Sequence, residues 1–357
     1  MDRREFLKTT GGAAALTAAA TAATAATAGE TPPAAEIAAP AIGSGARELR
    51  LAMPWPDDGK GFSDSARRLA RRIEAAAAGR LRVTIVTGEE DGEADLSHGT
   101  AHDCAAQHPA FAYFAGLPGE TGLPPCDLDH WLAVGGGQML WDDLAAERGL
   151  KSLLAGHSGA APALWSAKPV TSLGDLEGEP VFAIGLAADV VRALGAGPVA
   201  VPFSRLKAAL QGGTIRAAEW GGALQSLAAG LPEAAKHGLG SGINGNGTAL
   251  SLSLRLPLWE RLSAADKALV SAAAAEEFRF GLAEARAHEA IIRDLLARTH
   301  GVRFAPFPDD LADALRRVSD AVVAHVAATD RRAARINASY MAFKSALGGS
   351  RATRPVV

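Results

Sequence analysis

The segment Gly212–Gly222, GGTIRAAEWGG, sets a carboxylate, Glu219, beside a large aromatic, Trp220, with only alanine and glycine close on either side. An acid next to an indole and framed by small residues is a lining pattern. The carboxylate offers charge and hydrogen-bond acceptors, and the ring offers a flat apolar platform. The chemistry this points to is binding. Trp55, in the loop PWPDDGKG, is a further platform candidate and is equally suited to filling a core. Trp131, Trp141 and Trp259 fall on helical patterns and read as core.

Motifs for bond-making chemistry fail on inspection. GHSGA (156–160) nearly spells a nucleophile elbow, but it closes on Ala160 and no His/Asp order supports it. GSGING (240–245) has the spelling of a dinucleotide fingerprint, yet a strand-like run follows where a helix is required, so it reads as a flexible hinge-side loop. His102, Cys104 and His108 in HDCAAQH have no second cluster to complete a metal site and read as surface or loop residues. The run 89–91, EED, reads as a solvated acidic turn. Cys104 and Cys126 form one bridge or stay as two free buried thiols; their spacing does not decide. The chain therefore reads as a non-enzyme.

The elements that must position Glu219 and Trp220 are legible as patterns. ELRLAM alternates like a strand, FSDSARRLARRIEAAAAG carries apolar residues at helical spacing with Ser63 or Asp64 as cap and Gly79 as stop, and RLRVTIV is a second strand. Strand, helix and strand in so short a span predict a parallel βαβ unit. PVFAIG, LAADVVRALGAG, PVAVP, FSRLKAALQGG and TIRAAEW repeat the alternation. Two such units predict an α/β fold of two lobes, each an open sheet, with a cleft beyond the carboxyl ends of the strands. A helix from about Ala264 to His300, capped by Ser263 and stopped by Gly301, is about 54 Å long at 1.5 Å per residue and spans both lobes. Two helices follow, near Pro308–Ala328 and Arg331–Leu347.

The chain starts MDRREFLKTTGGAAALTAAATAATAATAGE. Paired Arg3 and Arg4, a weakly apolar Ala/Thr run and small residues near Ala26–Ala28 are the layout of a twin-arginine export signal, residues 1–28, which predicts a periplasmic protein. A Pro/Ala/Gly linker occupies 29–45. Lobe I is assigned 46–155 plus about 248–280, lobe II 156–247, the spanning and C-terminal helices 264–347, and a frayed tail 348–357. A net charge of −3 over 357 residues, without a basic patch, gives no reason to expect nucleic acid.

GEADLSHG, HPAFAYFAGLP, WLAVGGGQMLWDDLAAERGLK, SLGDLEG and LKAALQGGTIRAAEWGG together resemble the DctP-like solute receptors of TRAP transporters, most closely the branch that binds 2-oxo acids. The resemblance runs from Leu49 to about Phe343 and implies a periplasmic-binding-protein-like fold that closes on a hinge. It implies a small solute as ligand, TRAP membrane subunits as partners, and pairing into homodimers in some members. It also implies a carboxylate-binding arginine on the first strand of lobe II, where Phe182 stands. A Na+ or other cation with the ligand is implied too, held by a glutamine, Glu219 and the Trp220 carbonyl; the glutamine position is Ala161. Arg216 and Lys168 are candidate substitutes for the arginine. The alternative is a degenerate receptor used as a sensor or scaffold.

Overall fold

The fold is that of a computed structural model, which describes residues 45–58, 60–87, 94–160 and 163–352. The export signal, most of the linker, the acidic run 89–91 and Ala161 lie outside the described residues.

Strand β1 (Arg47–Ala52), helix α1 (Phe62–Ala77) and strand β2 (Leu81–Val86) form the expected parallel unit, with Leu49 opposite Val83 and Leu51 opposite Ile85. Ala66, Leu69, Ala70, Ile73 and Ala77 make the buried stripe of α1. Its cap is Gly61 (φ +56°) and not Ser63 or Asp64, because a Cβ at Gly61 would stand 3.2 Å from Ala228 of the other lobe. Strand β3 (Leu96–Gly99), helices α2 (Pro125–Ala133) and α3 (Gly137–Ala146) and strand β4 (Leu150–His157) complete the first half of lobe I.

Lobe II follows as β5 (Leu164–Ser166), β6 (Pro180–Phe182), α4 (Leu186–Ala193), β7 (Gly197–Val199), α5 (Leu206–Gln211), β8 (Ala217–Glu219), α6 (Ala223–Ala228), α7 (Leu231–Ala234) and β9 (His237–Leu239). The chain returns to lobe I as β10 (Ala249–Arg255) and α8 (Leu256–Arg261), then enters α9 (Ala264–Arg298). Strand β11 (Arg303–Ala305) and helices α10 (Asp309–Ala327) and α11 (Arg331–Ala352) end the fold. The lobe I sheet has the order β2-β1-β3-β10-β4, with β10 antiparallel to both neighbours. The lobe II sheet is β11-β9-β5-β8-β6-β7. Two boundaries differ from the sequence reading. Strand β11 joins the lobe II edge, pairing parallel to β9, and α11 continues as helix to Ala352 through a segment read as tail.

Helix α9 is one 35-residue element, capped by Ser263, whose Oγ accepts the Asp266 N–H at 3.0 Å. Its first half supplies Val270, Ala273 and Ala274 to the lobe I core; Ile292 and Leu296 belong to the lobe II core. Glu277, fully buried on α9, accepts from Ser65 (2.8 Å) and Arg68 (2.8 Å) of α1 and pins the helix to lobe I. Helix α11 lays Ala333, Ile336 and Tyr340 against Phe114 and Trp131; Trp131 and Trp141 fill the core as expected. Trp259 is only partly buried and lies under Lys151 and Lys267. Cys104 and Cys126 are free thiols.

Besides α9, the backbone among the described residues passes between lobes along α10, whose Leu311 and Leu315 sit in the lobe II core and Val323 and Val326 in the lobe I core, at 158–160 after β4, and over 240–248 before β10; the last two lie side by side. They are tied at Ser158, whose N–H donates to the Thr248 carbonyl and whose Oγ accepts the Thr248 N–H, both at 2.9 Å. Gly247 (φ +80°) makes the crossing possible, since a Cβ there would stand 1.7 Å from the Gly159 carbonyl.

Candidate functional site

Glu219 is the last residue of β8, flanked by Leu164 of β5 on one side, with its neighbour Ala218 opposite Phe182 of β6. The strand is short because Gly221 and Gly222 turn it at once into α6, and the turn throws Trp220 toward the other lobe. Glu219 is 9% exposed. Its Oε1 accepts the Asn244 N–H at 2.6 Å, and Asn244 Nδ2 stands 3.5 Å from Oε2. Burial pushes the carboxyl up to about 7, and the backbone amides of Asn244 and Ile243 pull it back part of the way.

The two lobes meet here through aromatic rings. Trp55 lies 4.9 Å from Phe62, Phe62 lies 5.6 Å from Trp220, and Trp220 lies 5.0 Å from Phe203. Trp220 packs against the cores of both lobes. Behind the rings is a cavity of about 50 Å3, walled by Trp55, Phe62, Thr100 and Leu250 from lobe I and by Ile184, Phe203, Glu219, Trp220 and Asn244 from lobe II. In front of them is a vestibule of about 210 Å3 that shares all four rings and carries Asp58, Lys60 and Lys207. A larger cavity of about 310 Å3 belongs to lobe I alone, so closure of the lobes does not shape it.

Of the residues singled out from sequence, Trp55, Glu219 and Trp220 converge on the interlobe cavity. Phe182 does not line it. It is 2% exposed, packs 6.2 Å behind Phe203 and belongs to the lobe II core with Leu206 and Ile215. Lys168 is exposed, and Arg216 is buried at the opposite end of β8, donating to the Pro169 carbonyl at 2.9 Å, so neither replaces the arginine in this cavity. His102 is not a surface residue. It is 5% exposed, neither ring nitrogen has a partner, it abuts Gly185 ahead of α4, and burial lowers it to about 4.

Ile184, Phe203, Asn244 and Thr100 were not anticipated. Ile184, Phe203 and Thr100 fall just past the carboxyl ends of β6, β7 and β3, where an open α/β sheet places its ligand contacts. Asn244 lies inside GSGING, the segment discounted as a fingerprint.

Trp55 Nε1 and Asn244 Oδ1 on the cavity wall are buried without a partner, as is Gln225 Oε1 in the vestibule. A hard cation takes about six to eight oxygens when it is calcium. The two Glu219 oxygens, one already accepting from Asn244, and Asn244 Oδ1 supply a minority of such a shell, so a cation here would be completed by oxygens of its ligand. Among the described residues no group of three or more His, Cys, Asp or Glu side chains is arranged so that it could hold a metal ion.

Two α/β lobes, a tied hinge, a helix running through both and a cavity walled from each side define a solute-binding receptor of the periplasmic-binding-protein type. The chain belongs to the bacterial extracellular solute-binding protein family 7, DctP, whose sequence profile matches residues 127–330. It is 24% identical over 309 residues to a monocarboxylate 2-oxoacid-binding periplasmic protein of Nostoc sp., covering 83% of each chain. The fold matches a TRAP transporter solute-binding protein of Bordetella bronchiseptica, solved with calcium and picolinate, at a TM-score of 0.81 and 22% identity, over 87% of this chain and 95% of that one. It matches a second, from Pseudoalteromonas atlantica with sodium and pyruvate, at 0.79 and 22% identity, over 85% of this chain and 95% of that one.

Proposed function

We propose that this protein is exported through the twin-arginine route to the periplasm, where it captures a small solute by hinge closure and hands it to a TRAP-type membrane transporter. It binds without covalent chemistry. The observation that carries this reading is the interlobe cavity, because its walls are complete only when both lobes contribute. Closure hides the solute behind Trp55, Phe62, Phe203 and Trp220, and opening at Ser158 and Thr248 releases it. The relatives' pyruvate and picolinate support a small carboxylate with a cation as one solute class.

Native mass spectrometry of protein purified from a periplasmic extract tests the capture. The expected spectrum shows a bound small molecule that is lost on partial unfolding. Replacing Arg3 and Arg4 by lysine should strand the protein in the cytoplasm; unchanged export would remove the twin-arginine route. A second reading, a degenerate receptor serving as sensor or scaffold, is favoured by the small free volume left where the rings of the two lobes meet. It predicts no bound molecule and a flat thermal response to every solute tried.

A further inference from the structure

We propose that the interlobe cavity is built for a small amino alcohol, a protonated amine carrying one hydroxyl; the inference rests on the receptor reading above and names its solute class. The charge pattern comes first. Glu219 is the only ionisable residue among the described residues lining the cavity, and position 182, where a carboxylate-binding arginine would stand, holds a core phenylalanine. A simple carboxylate solute would bring a second negative charge against buried Glu219 and could enter only together with a metal ion to compensate it. An ammonium group meets its counter-charge.

The walls favour the same class. Trp55, Phe62, Phe203 and Trp220 surround the space in front of that carboxylate, and the negative faces of aromatic rings attract organic cations most when water is excluded. In the vestibule Lys207 is already paired with Glu233, so its charge is balanced at the mouth.

The orphaned atoms supply the rest. Asn244 Oδ1, beside Glu219 in a side chain 4% exposed, is a free acceptor for a second ammonium N–H. Trp55 Nε1, in a side chain 6% exposed, is a free donor, and it calls for an oxygen on the same solute. Size sets the limit. A cavity of about 50 Å3 suits a solute of a few heavy atoms, such as ethanolamine.

The test uses the mature protein at pH 8, where the amine is protonated, with calorimetric titration and thermal shift. Ethanolamine is compared with propylamine, which lacks the hydroxyl, and with ethylene glycol, which lacks the charge. Glycolate, which reverses the charge, and pyruvate with calcium complete the panel. Ethanolamine should bind at least tenfold more tightly than ethylene glycol or glycolate, and severalfold more tightly than propylamine. Glu219→Gln, which keeps the size of the side chain and its bond from Asn244, should cost ethanolamine at least tenfold. Trp55→Phe, which keeps a ring and removes the donor, should cost ethanolamine severalfold and leave propylamine unchanged. Ethanolamine binding no tighter than ethylene glycol, or indifferent to Glu219→Gln in a folded variant, overturns the inference. If pyruvate with calcium binds in that case, the receptor reading survives and only the amine falls. A flat response to the whole panel, with no co-purified molecule, removes both.

Discussion

Phe182 shows how a single side chain can redirect a binding site. Its strand places it under Phe203, in contact with the lobe II core, so an arginine at this point in this chain would have to leave its charge in that core or push Phe203 aside. Phe182→Arg should therefore destabilise by about 3–5 kcal/mol, the cost of an uncompensated buried charge, and not restore carboxylate binding. Urea denaturation read by tryptophan fluorescence measures the first outcome, and titration with pyruvate the second. Three buried histidines govern the acid limb of stability. His98 and His102 are lowered by burial from 6.5 to about 4, and His157 to about 3. The unfolded chain takes up protons below 6.5 that the folded protein refuses. Their contribution is thus complete above 6.5 and lost as pH falls toward 4, on the order of 3 kcal/mol each. Glu219, raised by burial from 4.5 to about 7, and Asp103, raised by burial from 3.8 to about 6, work in the opposite sense, gaining stability as pH falls through that window. Three groups outweigh two, so the melting temperature should fall between pH 6.5 and 4; a flat or rising profile would contradict the neutral burial of these imidazoles.

At the scale of elements, the hinge and the α1–α9 seam carry distinct predictions. Gly247→Ala adds a methyl that meets the Gly159 carbonyl, and it also forces alanine into a left-handed conformation. The backbone term alone costs about 1–3 kcal/mol. Because the residue sits in a crossing segment, the variant should also alter solute affinity, which a Gly→Ala change at exposed Gly149 (φ +65°), with open space around it, should not. Glu277→Ala leaves Arg68 and Arg72 of α1 without their buried partner, and should lower stability by about 3 kcal/mol in denaturant titration. Here sequence patterns were informative in proportion to length. Helix α9 carried a cap, a stop and a run long enough to cross a domain. Strand β11 has three residues at a sheet edge, Arg303 and Ala305 both exposed, and no period from which to read it.

For the molecule as a whole, Phe62 against Trp220 and Gly61 against Ala228 join the lobes at the cavity, alongside His102 against Gly185 and Leu186 packed into the lobe I core. An aromatic pair contributes about 0.5–1.5 kcal/mol beyond its area, enough to move an open–closed equilibrium by roughly twofold to tenfold. Phe62→Ala should accordingly enlarge the radius of gyration of the unliganded protein in small-angle scattering, and saturating solute should reverse much of that expansion. An unchanged scattering profile would mean that the rings are not what holds the lobes together.

The two alternating α/β units, the spanning helix and the pairing of Glu219 with Trp220 were determined by local pattern: periodicity, caps and small-residue framing act within a few residues and are readable in a linear string. The same string pointed past the carboxyl ends of the strands, which is where Trp55, Thr100, Ile184 and Phe203 converge. What only the tertiary structure decided was which side chains at those ends face the gap and which turn into a core. Phe182 and Ile184 are two residues apart, yet the first packs in the lobe II core and the second lines the cavity. Likewise Asn244 gains meaning only when a loop 25 residues beyond Glu219 folds back to donate to it. Burial and partner choice are set by elements distant in sequence, and no local period encodes them.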